Sequence, residues 1–105
     1  MESIKLNIPV LRAYTFWKRF RGFMLKKSAN YALLFDKCKS VHTFFMRFNL
    51  DIVYLDEEKR IIKVIRSLKP FKIALPVKNA VSILEIPSGI IDAEALQTFK
   101  KLVDF

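Results

Sequence analysis

Three polar residues within the bulky, apolar residues 41–56 have side chains that could do chemistry. His42 is the one histidine of the chain, and Arg47 and Asp51 follow it closely. An imidazole and a carboxylate can act as an acid–base pair, while a guanidinium can hold an anionic group. A regular strand would place Arg47 and Asp51 on one face and His42 on the other, unless Asn49 introduces a bulge or turn.

The same residues also have a structural interpretation. Asp51 interrupts an apolar run at residues 50–55, and a buried carboxylate there needs hydrogen-bond donors. Backbone N–H groups or Arg47 are the expected donors. If the partner is a buried charge, replacing Asp51 by Ala would cost about 3–5 kcal/mol. Both interpretations stay open, and no catalytic residue is assigned. Arg21, His42, Met46, Arg47 and Asp51 together form the candidate binding cleft.

Metal and cofactor chemistry find little support in the sequence. Cys38 and His42 are the only cysteine and histidine, whereas a metal site needs three or four ligands. No phosphate loop, dinucleotide fingerprint or paired-cysteine motif occurs. No metal or cofactor is therefore predicted. The lone cysteine suits a reduced, cytoplasmic setting, and no apolar run approaches the roughly 20 residues that span a bilayer.

Basic residues are concentrated in the first half of the chain. Residues 1–50 contain ten Lys/Arg and two acidic residues. Residues 51–105 contain nine Lys/Arg and eight acidic residues, and the net charge of the chain is +9. This excess could attract a small anion, nucleic acid or anionic lipid, or serve only as a solubilising surface. Lys18, Arg19 and Arg21 form the candidate anion-binding group. Interleaved aromatic residues could stack on bases, although Trp17 and Phe20 fall on the predicted core face.

Short apolar runs predict the strands that position these residues. Alternation at residues 4–8 predicts a strand with one buried face. Because Pro9 has no N–H to donate to a sheet ladder, this strand ends at Pro9, bulges there or lies at a sheet edge. The charged residues 56–60 predict a hairpin between two strands. The remaining strands are predicted at residues 31–35, 41–48, 50–55, 61–65, 71–75 and 81–86, and a turn is predicted at residues 87–89.

Two short helices complete the prediction. The first covers residues 16–21, after the capping residue Thr15 and before Gly22. The second begins at Asp92, and its apolar face carries Leu96 and Val103. Strands without regular βαβ alternation predict a mainly β (α+β) fold, a single compact antiparallel β-barrel or sandwich-like domain over residues 1–105.

Two runs of residues form distinctive motifs, Arg-Gly-x-Met at residues 21–24 and Val-His-Thr-Phe-x-Met-Arg-Phe at residues 41–48. They are followed by Asp51, Pro70, Ala74, Pro76, Leu84, Glu85 and Gly89. Together these motifs resemble those of the family known as domain of unknown function 192, which is widespread in bacteria and archaea. The resemblance covers about residues 13–91. Asn49 and Ser88 depart from the family pattern, and its C-terminal Gly-Asp is missing.

The resemblance implies a compact, β-rich domain and no established activity. A non-enzymatic module that binds a ligand or protein through the surface around Arg21, His42 and Arg47 is the leading prediction. An enzyme that uses His42 and Asp51, and a nucleic-acid-binding domain that uses the basic N-terminal half, are the alternatives.

Overall fold

The computed structural model describes residues 3–6, 8–13, 22–91, 96 and 102–104, and nine short strands lie within them. The strands are β1 (Ser3–Lys5), β2 (Val10–Arg12), β3 (Ala32–Asp36), β4 (Val41–His42), β5 (Leu50–Leu55), β6 (Ile61–Leu68), β7 (Ile73–Ala74), β8 (Ser82–Pro87) and β9 (Leu102–Asp104). The mainly β prediction is therefore confirmed.

Five strands form the central sheet in the order β2-β3-β8-β5-β6. Neighbouring strands within this sheet are antiparallel, except for the parallel pair of β2 and β3. Within the described residues, β2 and β6 remain the two edges, so the predicted closed barrel is wrong. Every residue of β5 and β8 is buried, which shows that both faces of the sheet are covered. The apolar side chains of this open sheet are therefore buried without closure into a barrel.

Each face of the sheet carries its own apolar cluster. The first cluster joins Val53, Leu55 and Leu84 to residues of the terminal segments, such as Leu6 and Val103. The second joins Phe35, Leu50, Ile52, Tyr54 and Ile83 to residues outside the central sheet, among them Phe23, Met46, Ala74 and Ala80. Alternation along β5 and β8 accounts for this division, because successive side chains point to opposite faces.

The predicted hairpin forms between β5 and β6. Asp56 organises its turn: Oδ1 accepts the backbone N–H groups of Glu58 and Arg60, each at 2.9 Å, and Oδ2 accepts Arg60 Nε at 2.8 Å. Burial acts to raise the pKa of Asp56, but these hydrogen bonds outweigh it and hold the pKa below its usual value.

The predicted helix at residues 16–21 lies outside the described residues. The second predicted helix is wrong at its C-terminal end, because Val103 lies in β9 and pairs in parallel with Ile4 of β1. Most of residues 92–101 lie outside the described part, where Leu96 alone is described and is helical. Pairing with a strand at the other end of the chain has overridden the local periodicity. No helix among the described residues has the length and apolarity to cross a membrane.

The strand predicted at residues 41–48 stops after His42. The backbone N–H of Phe44 is captured by His42 Nδ1 at 3.1 Å, and the N–H of Met46 by the carbonyl oxygen of Thr43 at 3.2 Å. Phe45 adopts a left-handed φ of 62°. These local bonds turn the chain out of the sheet, although its residue types favour a strand.

Candidate functional site

Two turns that lie far apart in sequence meet beside the short sheet of β4 and β7. His42 of β4 is the register partner of Ile73 of β7. One residue further on, the N–H of Thr43 donates to the carbonyl oxygen of Lys72 at 2.8 Å. The N–H of Phe71 donates to the carbonyl oxygen of Thr43 at 2.9 Å. The turn after β4 and the turn before β7 are thereby held side by side.

The buried Thr43 side chain strengthens this junction. Its hydroxyl donates to the carbonyl oxygen of Lys69 at 2.7 Å and accepts the N–H of Lys72 at 2.9 Å. From the sheet behind, the Tyr54 hydroxyl donates to the carbonyl oxygen of Leu75 at 2.6 Å, and burial raises the pKa of this phenol. The hydroxyl therefore stays protonated and fixes the chain after β7.

Exposed apolar side chains converge at this junction. The ring centroid of Phe44 lies 5.1 Å from the ring centroid of His42 and 6.3 Å from the ring centroid of Phe71. The ring centroids of Phe71 and Phe45 are 5.5 Å apart. Leu25 joins them, because its N–H donates to the carbonyl oxygen of Phe45 at 2.9 Å. We name this region the exposed aromatic surface; it comprises Leu25, His42, Phe44, Phe45, Phe71 and Ile73.

Three residues of the exposed aromatic surface combine high exposure with an unfavourable backbone. Leu25, Phe45 and Phe71 are 69%, 53% and 60% exposed. Their φ angles are 65°, 62° and 63°, in the left-handed region that bulky residues avoid. Such a conformation costs roughly 1–2 kcal/mol for each non-glycine residue. Strain and apolar exposure at the same positions are typical of residues kept for function.

The rim of this surface is basic. Lys27, Arg47, Lys69 and Lys72 are exposed, and Lys26 is partly exposed. All five are within two positions of Leu25, Phe45 or Phe71 in the sequence. No Asp or Glu occurs at residues 22–35, 37–50 or 59–84, so the segments that form the surface contain no acidic residue.

The five residues of the predicted binding cleft are not assembled in one place. His42 and the exposed Arg47 belong to the aromatic surface and its rim. Met46 is buried in the second cluster and Asp51 is buried within the sheet. Arg21 lies outside the described residues, as do Lys18 and Arg19, so the anion-binding group stays a prediction.

Donors of β6 and of the turn after β8, rather than Arg47, bind one oxygen of Asp51, whereas Oδ2 is buried without a hydrogen-bond partner among the described residues. Its Oδ1 accepts the N–H of Ser67 at 2.9 Å, the hydroxyl of Ser88 at 3.1 Å and Arg66 Nε at 3.4 Å. Ser67 has a φ of 51° at the register shift of β6, so the carboxylate caps a bulge. Nothing in this arrangement supports an acid–base pair of Asp51 with His42.

Glu85 is a buried carboxyl group that the site predictions did not include. It lies in the middle of β8, between its register partners Leu33 and Ile52. Its Oε1 is buried and has no hydrogen-bond partner among the described residues. Burial raises the pKa of Glu85 to about 8, so the group is mostly protonated at neutral pH. In the sequence, Glu85 could have been found as an ionisable residue within the apolar strand predicted at residues 81–86.

Gly22 lies directly over Glu85. A Cβ on Gly22 would stand 3.6 Å from Glu85 Oε1 and 3.6 Å from Met46 Cε, and the φ of Gly22 is +48°. A cleft of about 240 Å³ borders Gly22 and is otherwise lined by Leu11, Arg12, Ala13, Lys26, Tyr31 and Leu33. Within the described residues, no group of three His, Cys, Asp or Glu side chains is placed to hold a metal ion.

Curated relatives of this chain come from Thermococcus and Pyrococcus species. A UPF0127 protein of Thermococcus sibiricus is 38% identical over 86 residues, which cover 76% of this chain and 55% of that protein. A UPF0127 protein of Pyrococcus furiosus is 34% identical over 104 residues, which cover 93% of this chain and 88% of that protein. The chain spans about half the length of the Thermococcus relatives that it matches.

Two solved structures share the fold. A Sinorhizobium meliloti protein, provisionally named a transcription regulator, has a TM-score of 0.70 and 18% identity, over 87% of this chain and 76% of that one. A Novosphingobium aromaticivorans protein of unknown function has a TM-score of 0.67 and 16% identity, over 77% of this chain and 64% of that one. At these identities the likeness concerns the fold alone.

The family model agrees with the motifs recognised in the sequence. The model of DUF192, described as an uncharacterized ACR family, matches residues 2–103. This match confirms the resemblance and extends it beyond residues 13–91. The chain therefore belongs to the DUF192 family, and its curated relatives carry the name UPF0127.

Proposed function

We propose that this chain is a non-enzymatic binding module whose contact region is the exposed aromatic surface, and that its partner is anionic and amphipathic. The observation that carries the proposal is the coincidence of exposure and left-handed φ at Leu25, Phe45 and Phe71. A sequence under selection for stability alone would place glycine, asparagine or a polar residue at such positions. Bulky apolar residues there are better explained by a partner that buries them.

The energetics support a surface that is buried on binding. Each square ångström of apolar surface removed from water contributes roughly 25 cal/mol. Several large side chains that contact one another can therefore supply substantial binding free energy without any enzyme chemistry. The hydrogen bonds of Thr43 hold the two turns in place beforehand, which reduces the ordering entropy lost on association.

Charge indicates the sign of the partner. The rim of Lys26, Lys27, Arg47, Lys69 and Lys72 attracts anions, and no acidic residue interrupts the segments that form the surface. The same charges disfavour a second copy of this chain, because two equally basic rims would repel each other. The enzyme alternative lacks a comparable observation, since the buried Asp51 and the partly exposed His42 belong to different parts of the fold.

The proposal is tested with 1-anilinonaphthalene-8-sulfonate, an aromatic anion that fluoresces when bound to apolar surface. Native protein should enhance its fluorescence, and the double variant Phe45→Asn/Phe71→Asn should lose most of that enhancement. Asparagine tolerates the left-handed region, so the turns keep their conformation. Lys63→Gln is the control, because Lys63 is an exposed residue of β6 outside the aromatic surface and its basic rim. Equal enhancement by the double variant and the native protein would contradict the proposal.

A further inference from the structure

We infer that the partner of the exposed aromatic surface is the interface of an anionic lipid membrane. This inference rests on the proposed function, and it goes further by naming the occupant. It requires peripheral attachment only, through side chains that enter the interface from turns. The observations behind it concern the shape of the surface, its residue types and its charge.

The shape is that of several turns that converge on one region. Leu25, Phe45 and Phe71 each stand at a left-handed position, and they come from three separate segments of the chain. Phe45 connects the other two, through the hydrogen bond from Leu25 and the ring contact with Phe71. A lipid interface accepts side chains from separate turns without needing a matched surface, whereas a protein partner must supply a complementary shape.

The residue types also favour lipid. The apolar side chains of the surface belong to Phe, Leu and Ile, which carry no polar group. Protein interfaces are depleted in Lys, and the residues that dominate their binding energy are most often Trp, Tyr and Arg. Here four of the five rim residues are lysines, namely Lys26, Lys27, Lys69 and Lys72. Flexible ammonium groups around an apolar centre suit a layer of mobile anionic headgroups.

The charge of the exposed aromatic surface and its rim also suits an anionic membrane. The membrane-facing segments contain no Asp or Glu, so no carboxylate would be pressed against lipid phosphates. The acidic turn of Asp56, Glu57 and Glu58 lies in the hairpin of β5 and β6, apart from the aromatic surface. Apolar insertion and basic attraction act together in stable peripheral binding, since either alone gives marginal attachment.

The test is a vesicle flotation assay with phosphatidylcholine vesicles, with and without added phosphatidylglycerol. The full chain should float with the anionic vesicles and scarcely at all with the neutral ones, and salt should weaken the binding. Phe45→Asn/Phe71→Asn should bind about tenfold more weakly or worse for each ring removed. Lys69→Glu/Lys72→Glu should also bind weakly. Lys63→Glu, changed outside the surface and its rim, should bind like the native chain.

The other outcomes separate the two proposals. A native chain that ignores anionic vesicles overturns the membrane inference. If it then binds an acidic amphipathic peptide, and the double Phe variant does not, the aromatic surface remains the contact region and only the lipid occupant is wrong. If vesicles bind the native chain and the double Phe variant equally well, both the membrane inference and the proposed function are wrong. Circular dichroism of each variant confirms that it is folded.

Discussion

The hydroxyl of Thr43 accepts the backbone N–H of Lys72 at 2.9 Å, although 29 positions separate the two residues. Thr43 also exchanges two backbone hydrogen bonds with this second segment, one with Lys72 and one with Phe71. The three bonds make a rigid support on which Phe44, Phe45 and Phe71 meet. The exposed aromatic surface is therefore held by the fold before any partner arrives.

Thr43→Val should weaken this support without changing the size of the side chain. The N–H of Lys72 and the carbonyl oxygen of Lys69 would lose their buried partner, at a cost of about 1–3 kcal/mol. Urea unfolding measures that loss, and fluorescence with 1-anilinonaphthalene-8-sulfonate should fall with it. Thr43→Ser is the matched control, because it keeps the hydroxyl and should retain most of the stability. Equal stability of the valine and native chains would show that the hydroxyl is dispensable.

Asp51→Ala should destabilise the chain by about 1.5–3 kcal/mol, because the donors of Ser67, Ser88 and Arg66 would lose a charged acceptor. This loss is smaller than the sequence suggested, since the Arg66 side chain is 28% exposed and solvent screens the ion pair. Asp51→Asn should lose less, because its amide oxygen still accepts the N–H of Ser67. Thermal unfolding separates the variants. Asp36→Ala, at an exposed ion pair with Arg12, is the control and should change little.

Glu85 should make the chain less stable as the pH rises. Its folded-state pKa is about 8, well above the usual value of 4.5, so the folded state keeps a proton that the unfolded state releases. The contribution of Glu85 to stability is therefore full below about pH 4.5 and is lost progressively between that pH and about pH 8.

Glu85→Gln removes that titration. We expect the glutamine variant to gain stability over the native chain as the pH rises from 5 to 8, measured by urea unfolding at each pH. Other ionisable groups affect both chains alike, so the difference between them isolates Glu85. A difference that stays constant across this range would mean that Glu85 is not buried as a neutral acid.

Local sequence patterns were sufficient to predict much of the central sheet. The uniformly apolar run at residues 50–55 and the charged residues 56–60 predicted β5 and its hairpin, because both signals are contained within a few neighbouring positions. The parallel strands β2 and β9 were missed, since each is specified by a distant partner. Val103 follows a helical spacing in the sequence, yet its pairing with Ile4 makes it a strand residue.

The site was only partly accessible from sequence. His42 and Arg47 are recognisable in the sequence as polar residues among apolar ones, and both lie at or beside the exposed aromatic surface. Phe71 and Leu25 are not, because an apolar residue at an exposed, left-handed turn has the same sequence pattern as a buried one. Thr43 belongs to a family motif, but its role depends on a segment far along the chain.

The central claim is that Phe45 and Phe71 are exposed for a partner and contribute little to the fold. The most direct measurement is the free energy of unfolding of Phe45→Asn/Phe71→Asn, obtained in urea beside the native chain and the core control Phe35→Ala. We predict that the double variant stays within about 1.5 kcal/mol of the native chain or exceeds it, because relief of left-handed strain offsets the lost ring contacts. The core control should lose about 3–5 kcal/mol. A loss in the double variant as large as that of the control would contradict the account.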